Sequence, residues 1–276
     1  MRGVEKTALW VAMVRAHEST RPDRLFDDPY ARAFVEAEPV EFPEAPVDEA
    51  ELAALGPLAS LGARFYVSGV IRTRFFDDYL IAAGCPQVVL LAAGLDTRAF
   101  RLAWPEGTRL FEIDLPEVIE FKNSVLDSRA AVPRCDRVAV AADLREDWAG
   151  SLTAAGFDDR VPAAWLAEGI MLYLTGGQAR RLLTTVTALA EPGSQISFEH
   201  SPAAMAALLA QARFRPMTEY GSEQWKGGMG GKAPHWLDAH GWRTEIRELT
   251  ALAAAYHRPL SGPASDGFLT GVRLSP

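Results

Sequence analysis

Short apolar runs alternate with helix-like segments from Gln87 onward, and this alternation is the feature that most limits the possible folds. Each run is rich in aliphatic or aromatic side chains and is typical of a strand. The first and fourth runs are almost continuously apolar, which indicates strands buried on both faces of a parallel sheet. Repeated strand and helix units of this length predict a doubly wound α/β sheet. The predicted strands are Val88–Ala92, Arg109–Ile113, Arg137–Ala141, Ala163–Ala167 and Gln195–Phe198, and the predicted helices between them are Pro116–Leu126, Leu144–Ala155 and Gly177–Ala190.

The segments on either side of these runs complete the predicted architecture. Two further strands, Gly241–Leu249 and Gly267–Leu274, are expected to add an antiparallel hairpin at the edge, which makes a mostly parallel, seven-stranded sheet. Residues 1–86 are predicted to form a helical cap, and residues 87–276 the sheet domain, with a lid inserted at about 201–240. The glycine-rich segment Gly227–Gly231 within this insert favours a movable loop, because consecutive glycines permit large backbone changes. Helices are predicted at Thr7–His17, Asp28–Val35, Val47–Leu55, Gly62–Ala83, Pro202–Arg213 and Pro234–Ala239.

The composition excludes several classes of protein. The 276 residues carry 36 acidic against 28 basic side chains, a formal net charge of −8, which argues against a surface that tracks nucleic-acid phosphates. No apolar run approaches the roughly 18 residues of a membrane span. The two cysteines, Cys85 and Cys135, have no CxxC pattern or histidine grouping, so neither a disulfide framework nor a metal site is expected. We therefore expect a cytoplasmic protein with a small-molecule partner, and neither nucleic acid nor membrane as partner.

Small and acidic residues follow the first two predicted strands. Ligands of open α/β sheets bind at the carboxyl ends of the strands, so these positions are the first candidates for a site. Ala92 and Gly94 follow the first strand, where small residues allow backbone amides to approach a ligand closely. Asp114 follows the second strand, 20 residues after Gly94, and a carboxylate at that offset can accept hydrogen bonds from both ribose hydroxyls.

The third and fourth strands end in the same way. Asp143 could accept a hydrogen bond from the exocyclic amine of an adenine and Leu144 could cover its ring, while Glu168 follows the fourth strand. Each position has a simpler interpretation, since a small-residue turn can be a plain connection and Asp114 or Asp143 could cap the following helix. Four such strand ends in succession nevertheless favour a nucleoside-containing cofactor.

Seven motifs along the chain resemble one family. They are RAHESTRPDRLFDDPYA, RTRFFDDYL, LLAAGLDTRAFRL, FEIDLPEVIEFK, ADLRED, AEGIMLYLT and HWLDAHGWRTEI. Together they resemble the S-adenosylmethionine-dependent methyltransferases of the leucine carboxyl methyltransferase-like family, including its bacterial branch. The resemblance covers nearly the whole chain and implies the Rossmann-like fold of class I methyltransferases, with S-adenosylmethionine as cofactor and S-adenosylhomocysteine as product.

The resemblance also implies roles for individual residues. Ala92 and Gly94 match the two glycines of the cofactor loop, although the wider class often has glycine where this chain has Ala92. Asp114 matches the acid that binds the ribose. Asp143 and Leu144 match the pair at the adenine.

Three further roles concern the methionine part of the cofactor. Glu168 matches the acid that borders it. Arg72 is the match for an arginine that pairs with the cofactor carboxylate, with Arg74 as the rival, because the helical register is open. Arg15 is a weaker candidate for a second basic contact.

Some neighbouring charged residues are expected to have structural roles. Asp96 and Arg98 are expected to fix the loop by hydrogen bonds, and Glu112 is expected to pair with Arg109 or Arg101.

The sequence says less about the residues that bind the methyl acceptor. A carboxylate acceptor is ionised at neutral pH and needs no general base, whereas a hydroxyl would benefit from one. His200, directly after the fifth strand, is the first candidate for a catalytic base or an acceptor contact, against a capping role before Pro202. Tyr220 and Trp225 are candidates for the acceptor pocket.

We therefore expect an O-methyltransferase that acts on a carboxylate or hydroxyl of a small molecule, with a role in secondary metabolism. One alternative is a protein or peptide carboxyl methyltransferase. Another is a protein that binds the cofactor without catalysis. A nicotinamide-dependent oxidoreductase is disfavoured, because no G-x-G-x-x-G motif opens the first helix.

Overall fold

Seven strands form one sheet in the computed structural model, which describes residues 3–38, 57–200, 226–258, 260 and 267–275. The strands lie in the order β3-β2-β1-β4-β5-β7-β6. The first five strands are parallel to their neighbours and β7 is antiparallel to both β5 and β6, so the predicted mostly parallel, seven-stranded sheet is confirmed. The strands are β1 (Gln87–Leu91), β2 (Arg109–Asp114), β3 (Asp136–Ala141), β4 (Ala163–Ala167), β5 (Gln195–His200), β6 (Trp242–Glu248) and β7 (Gly267–Arg273).

Helices cover both faces of the sheet, as the alternation of strand and helix requires. The helices are α1 (Gly3–Thr20), α2 (Ala31–Ala37), α3 (Pro57–Ala83), α4 (Arg98–Arg101), α5 (Pro116–Ser128), α6 (Trp148–Ala154), α7 (Gly176–Leu189), α8 (Ala233–Ala239) and α9 (Leu249–Ala255). Single 3₁₀ turns occur at Met171–Tyr173 and Gly230–Lys232.

The two central strands divide the core into two layers. All five residues of β1 and of β4 are buried, because helices pack on both faces. Alternate side chains point to opposite faces, so Val88 and Leu90 pack with the N-terminal helices, whereas Val89 and Leu91 pack with α6, α7 and α8. The switch in strand order lies between β1 and β4, which is where open α/β sheets bind ligands.

The N-terminal helices share a core with the sheet. Leu9 of α1, Phe34 of α2 and Phe76 of α3 are fully buried in the same apolar cluster as Val88 and Leu90. The boundary drawn after residue 86 stays a prediction. In the described part of the chain, no helix combines the length and apolar character needed to cross a bilayer.

Several local predictions differ from the structure. Helix α2 begins at Ala31 rather than Asp28, whose Oδ1 accepts hydrogen bonds from the Tyr30 and Ala31 amides. Helix α6 begins at Trp148 rather than Leu144, because Asp147 caps it by accepting a hydrogen bond from the Gly150 amide at 3.4 Å. The single turn α4 was not predicted, since four residues give no periodic pattern. The last two strands pair antiparallel at the edge as expected, and α9, which was not predicted, lies between them in the chain. The helices predicted at Val47–Leu55 and Pro202–Arg213 lie outside the described residues.

Candidate functional site

A tight turn follows β1 at the switch point of the sheet. Ala92 and Gly94 have φ values of 56° and 49°, in the left-handed region that glycine adopts without cost. The Ala93 amide donates to the Ile113 carbonyl at 3.0 Å, which ties the turn to β2. The conformation explains why glycine is favoured at position 92, and it shows that the alanine of this chain is accommodated with backbone strain.

Asp114 at the end of β2 is a buried acceptor beside this turn. Its Oδ2 accepts a hydrogen bond from the Gly94 amide at 2.6 Å, and its Oδ1 accepts one from the Leu115 amide at 2.7 Å. Burial raises the pKa of Asp114, and the two amides offset part of this effect. Each carboxylate oxygen can accept more than one hydrogen bond, so capacity remains for a ligand.

The predicted adenine pair lies after β3. Arg145 donates to Asp143 from Nε at 2.9 Å, and this contact lowers the pKa of Asp143. Arg145 is exposed, so it could move aside without disturbing the core. Leu144 is half-buried against the core on the α6 and α7 face. Asp143 does not cap α6, since Asp147 has that role.

A row of ion pairs joins the ends of β4 and β5. Arg72 of α3 lies between two carboxylates, with Nε 2.8 Å from Glu168 and Nη1 3.1 Å from Glu199. The Gly169 amide donates to both oxygens of Glu199 at 2.9 Å. Arg74, the rival of Arg72, instead pairs with Asp78 at 2.9 Å and donates to the Leu25 carbonyl, away from the strand ends.

Arg98 extends this row of ion pairs from Glu168 to the turn after β1. Its guanidinium contacts Glu168 at 2.8 Å, Asp77 at 2.7 Å and also Asp96. Only 3% of its side chain is exposed, so these three carboxylates replace its lost hydration. Asp96 and Arg98 therefore fix the loop by hydrogen bonds, as expected, and Arg98 also ties it to Glu168.

Arg15 ties α1 to the same loop. Its Nε donates to Asp28 at 2.7 Å and its Nη2 donates to the Leu95 carbonyl at 2.7 Å. Asp28 also accepts a hydrogen bond from Thr97 at 2.7 Å. Arg15 lies next to the loop but is committed to these partners.

The pairing expected for Glu112 is wrong. Arg109 and Glu112 are three residues apart in a strand and therefore point to opposite faces. Arg109 pairs with Asp136 at 3.0 Å, whereas Glu112 pairs with Lys122 at 2.8 Å and Arg137 at 2.7 Å. Lys122 and Glu112 are both fully buried, behind the end of β2.

The acceptor candidates are only partly described. His200 ends β5 and is 8% exposed, and strand alternation places it on the face opposite Glu199. The glycine-rich segment is held against the chain after β4, since the Lys226 and Gly227 amides donate to the Leu172 carbonyl at 2.8 and 3.1 Å. Its role as a lid stays a prediction. Tyr220 and Trp225 lie outside the described residues.

Sequence reasoning missed Glu199 and Asp77. The signal for Glu199 was present, because an acid directly after a buried strand is what singled out Asp114 and Glu168. Asp77 had no such signal, because an acid on a helix is typical of a solvated face. Its pairing with Arg98 and Arg101 depends on how the helices pack in the fold.

The residues at these strand ends fit a nucleoside that carries a positive charge. A Cβ at Gly94 would lie 3.7 Å from the Cβ of Ala8, so α1 packs close to the backbone of the turn there. Asp114 and Glu168 supply carboxylates on either side of the turn, suited to hydroxyl or cationic donors. No group of three or more metal-ligating side chains occurs among the residues described here.

Comparison with known proteins identifies the family of the chain. The family model described as leucine carboxyl methyltransferase matches residues 8–187. A protein of Parafrankia is 48% identical over 98% of this chain and 87% of its own length, and one of Streptomyces coelicolor is 42% identical over 98% and 96%. Both carry assigned names of S-adenosyl-L-methionine-dependent methyltransferases.

Solved structures show the same fold. A DUF574 family protein from Streptomyces avermitilis covers 96% of this chain and 97% of its own, with a TM-score of 0.57 and 16% identity. The magnesium protoporphyrin IX methyltransferase of Synechocystis, solved with bound S-adenosylhomocysteine, covers 77% of this chain and 87% of its own, with a TM-score of 0.50 and 11% identity. At these identities the likeness shows the fold alone. The matched family model and the relatives show that the chain belongs to the leucine carboxyl methyltransferase family of S-adenosylmethionine-dependent methyltransferases.

Proposed function

We propose that the protein transfers a methyl group from S-adenosylmethionine to a carboxylate or hydroxyl oxygen of a small molecule. The observation that carries the proposal is the placement of Asp114 and Glu168 at strand ends on either side of the turn after β1, within a chain of this methyltransferase family. In a site for a positively charged nucleoside, one carboxylate can accept hydrogen bonds from the ribose hydroxyls, and another can supply negative charge near the cation.

The chain binds and orients the cofactor in this proposal. Asp114 accepts hydrogen bonds from the ribose hydroxyls, and Glu168 with Arg72 borders the methionine part. Leu144 covers the adenine, and Asp143 accepts from its amine once Arg145 releases an oxygen. S-adenosylmethionine supplies a methyl group already activated by the sulfonium, so the protein has mainly to align the acceptor and exclude water.

An oxygen acceptor is supported by the family and by simple acid–base chemistry. The family description names a carboxyl methyltransferase. A carboxylate is ionised at neutral pH and can act as nucleophile without a base. For a hydroxyl acceptor, His200 is the candidate base at the end of β5.

A surface cavity beside the chain that follows β4 offers positive charge to an acidic acceptor, although none of the proposed cofactor-binding residues lines it. The cavity has a volume of about 320 Å³ and is lined by the glycine-rich segment together with Arg180 and Lys232. Two cations suit an anionic acceptor, and the volume suits a small molecule better than a folded protein surface. A role in secondary metabolism stays a prediction that the identity of the acceptor would test.

The test incubates the protein with S-adenosylmethionine labelled in its methyl group and a panel of small carboxylic acids and phenols. Alkali releases labelled methanol from a methyl ester but not from a methyl ether, so the two acceptor classes are separated in one assay. At subsaturating S-adenosylmethionine, Asp114→Asn should reduce transfer about tenfold or more, and Asp127→Asn, which changes an exposed carboxylate of α5, should leave it unchanged.

Other results would point to the alternatives. Label on polypeptides alone would favour a protein carboxyl methyltransferase. Cofactor binding without transfer to any acceptor in the panel or in cell extract would favour a protein that only binds the cofactor. Label on nitrogen would contradict the proposed oxygen acceptor.

A further inference from the structure

Charged side chains near the strand ends form a connected network of ion pairs whose positive and negative charges are unequal in number. We call it the edge network, and its members are Arg15, Asp28, Asp77, Arg72, Asp96, Arg98, Arg101, Glu168 and Glu199. It holds four arginines and five carboxylates, so it has one surplus negative charge among the described residues. The neighbouring group of Glu112, Asp114, Lys122 and Arg137 is balanced and does not cancel this surplus.

Glu199 is the member that is least compensated. In the described chain its cationic partner is Arg72, which it shares with Glu168, whereas Glu168 also contacts Arg98. Burial and the nearby Glu168 raise the pKa of Glu199 despite Arg72 and the Gly169 amide. By contrast, arginine neighbours outweigh burial and lower the pKa of Asp96 and Glu168. Glu199 is therefore the carboxylate of the network whose negative charge is least neutralised by arginine.

The position of Glu199 lets this charge act on the cofactor site. Glu199 is the penultimate residue of β5, the strand next to β4, and it accepts a hydrogen bond from the amide of Gly169, the residue after Glu168. Its side chain is only 23% exposed, so water screens its charge incompletely. S-adenosylmethionine carries a sulfonium charge that S-adenosylhomocysteine lacks, and the two molecules otherwise differ by one methyl group.

We propose that Glu199 is a specificity residue that makes the site prefer the charged methyl donor over the neutral product. The inference rests on the proposed cofactor site. At an effective dielectric constant of about 20, an uncompensated charge about 12 Å from the sulfonium would change the relative affinity of the two ligands by about tenfold. This preference favours release of the product after each transfer.

The test measures the dissociation constants of both ligands by calorimetry for the wild type and for Glu199→Gln. Glutamine keeps the size of the side chain and an oxygen for the Gly169 amide while it removes the charge. The preference for S-adenosylmethionine should fall about tenfold, mainly through weaker binding of that ligand. Damage to the site would instead weaken both ligands together.

A matched control comes from α3, the helix that carries Arg72, the partner of Glu199. Asp78→Asn removes an exposed carboxylate that pairs with Arg74, and it should leave the preference unchanged. An unchanged preference in Glu199→Gln would overturn the inference while the proposed function stands. A wild type that binds neither ligand would overturn both.

A pH series on the wild type provides a second readout that needs no variant. Protonation of Glu199 removes the surplus charge, so the preference should decline as the pH falls through the raised pKa of Glu199. The charged groups that face Glu199 are Arg72 from α3 and Glu168 from β4, and His200 follows it in the chain. In Glu199→Gln the preference should stay constant over this range, and a decline of the same size there would contradict the assignment.

Discussion

At the scale of single residues, Ala92 holds a strained backbone conformation in the turn after β1. Alanine at a φ of 56° costs roughly 1–2 kcal/mol, because its Cβ crowds the backbone in the left-handed region. Glycine removes this strain, but its more flexible unfolded state costs about 0.4–1 kcal/mol. Ala92→Gly should therefore raise the free energy of unfolding by about 0.5 kcal/mol, measured by urea denaturation.

The control for this prediction is an alanine with ordinary helical backbone. Ala251 is exposed on α9, and Ala251→Gly should lower the free energy of unfolding by up to about 1 kcal/mol. Equal destabilisation by both substitutions would mean that the turn is not strained at Ala92.

Individual site residues were predictable where the signal was local. The positions of Asp114, Glu168 and the turn at Ala92 and Gly94 could be predicted because strand ends mark the edge where ligands bind, and their contacts with a ligand stay a prediction. The partner of Glu112 could not be found that way, because it depends on how α5 packs behind β2.

At the scale of elements, α1 and α2 are fastened to the cofactor loop through one buried carboxylate. Asp28 accepts hydrogen bonds from Arg15, Thr97 and the Ala31 amide, at 2.7, 2.7 and 3.1 Å. Burial alone would raise the pKa of Asp28, but Arg15, Arg101 and Thr97 outweigh it and lower the pKa. The carboxylate is thus ionised and holds three elements together.

Removal of this carboxylate should destabilise the fold strongly. Asp28→Ala leaves the buried Arg15 guanidinium without its anion, a change that costs about 3–5 kcal/mol for buried pairs. Denaturant unfolding measures the loss, and Asp127→Ala on the exposed side of α5 should stay within about 0.5 kcal/mol of the wild type. A loss below about 1 kcal/mol for Asp28→Ala would show that the tie contributes little.

The order and type of the elements followed from the hydrophobic pattern more closely than their ends did. The run Ala163–Ala167 is apolar throughout and matches β4 at both ends. Helix α6 begins later than predicted, since the apolar period continues through Leu144 while the cap at Asp147 sets the start. The helix between β6 and β7 was missed because Leu249–Ala255 is short.

At the scale of the whole molecule, the edge network ties folding to pH. The pKa values of Asp28, Asp96 and Glu168 are lowered in the folded protein, because nearby arginines outweigh the cost of burial. Folding is therefore stabilised by their ionised forms above the unfolded values, and that contribution is lost as the pH falls through the folded values. The raised pKa values of Asp114 and Glu199 act in the opposite sense.

The free energy of unfolding should consequently fall as the pH is lowered from about 5 to 3, because the carboxylates with lowered pKa values outnumber those with raised values in this set. The midpoint of urea unfolding, followed across this range, measures the effect. A midpoint that stays constant or rises down to pH 3 would contradict the charge assignment.

The central claim is that the strand ends around Asp114 bind S-adenosylmethionine, and calorimetry tests it most directly. The wild type and Asp127→Asn should bind S-adenosylmethionine and S-adenosylhomocysteine but not NAD. Asp114→Asn should weaken both ligands about tenfold or more, because a charge-assisted hydrogen bond contributes about 1.5–3 kcal/mol. Tight binding of NAD by the wild type, or unchanged affinity in Asp114→Asn, would contradict the account.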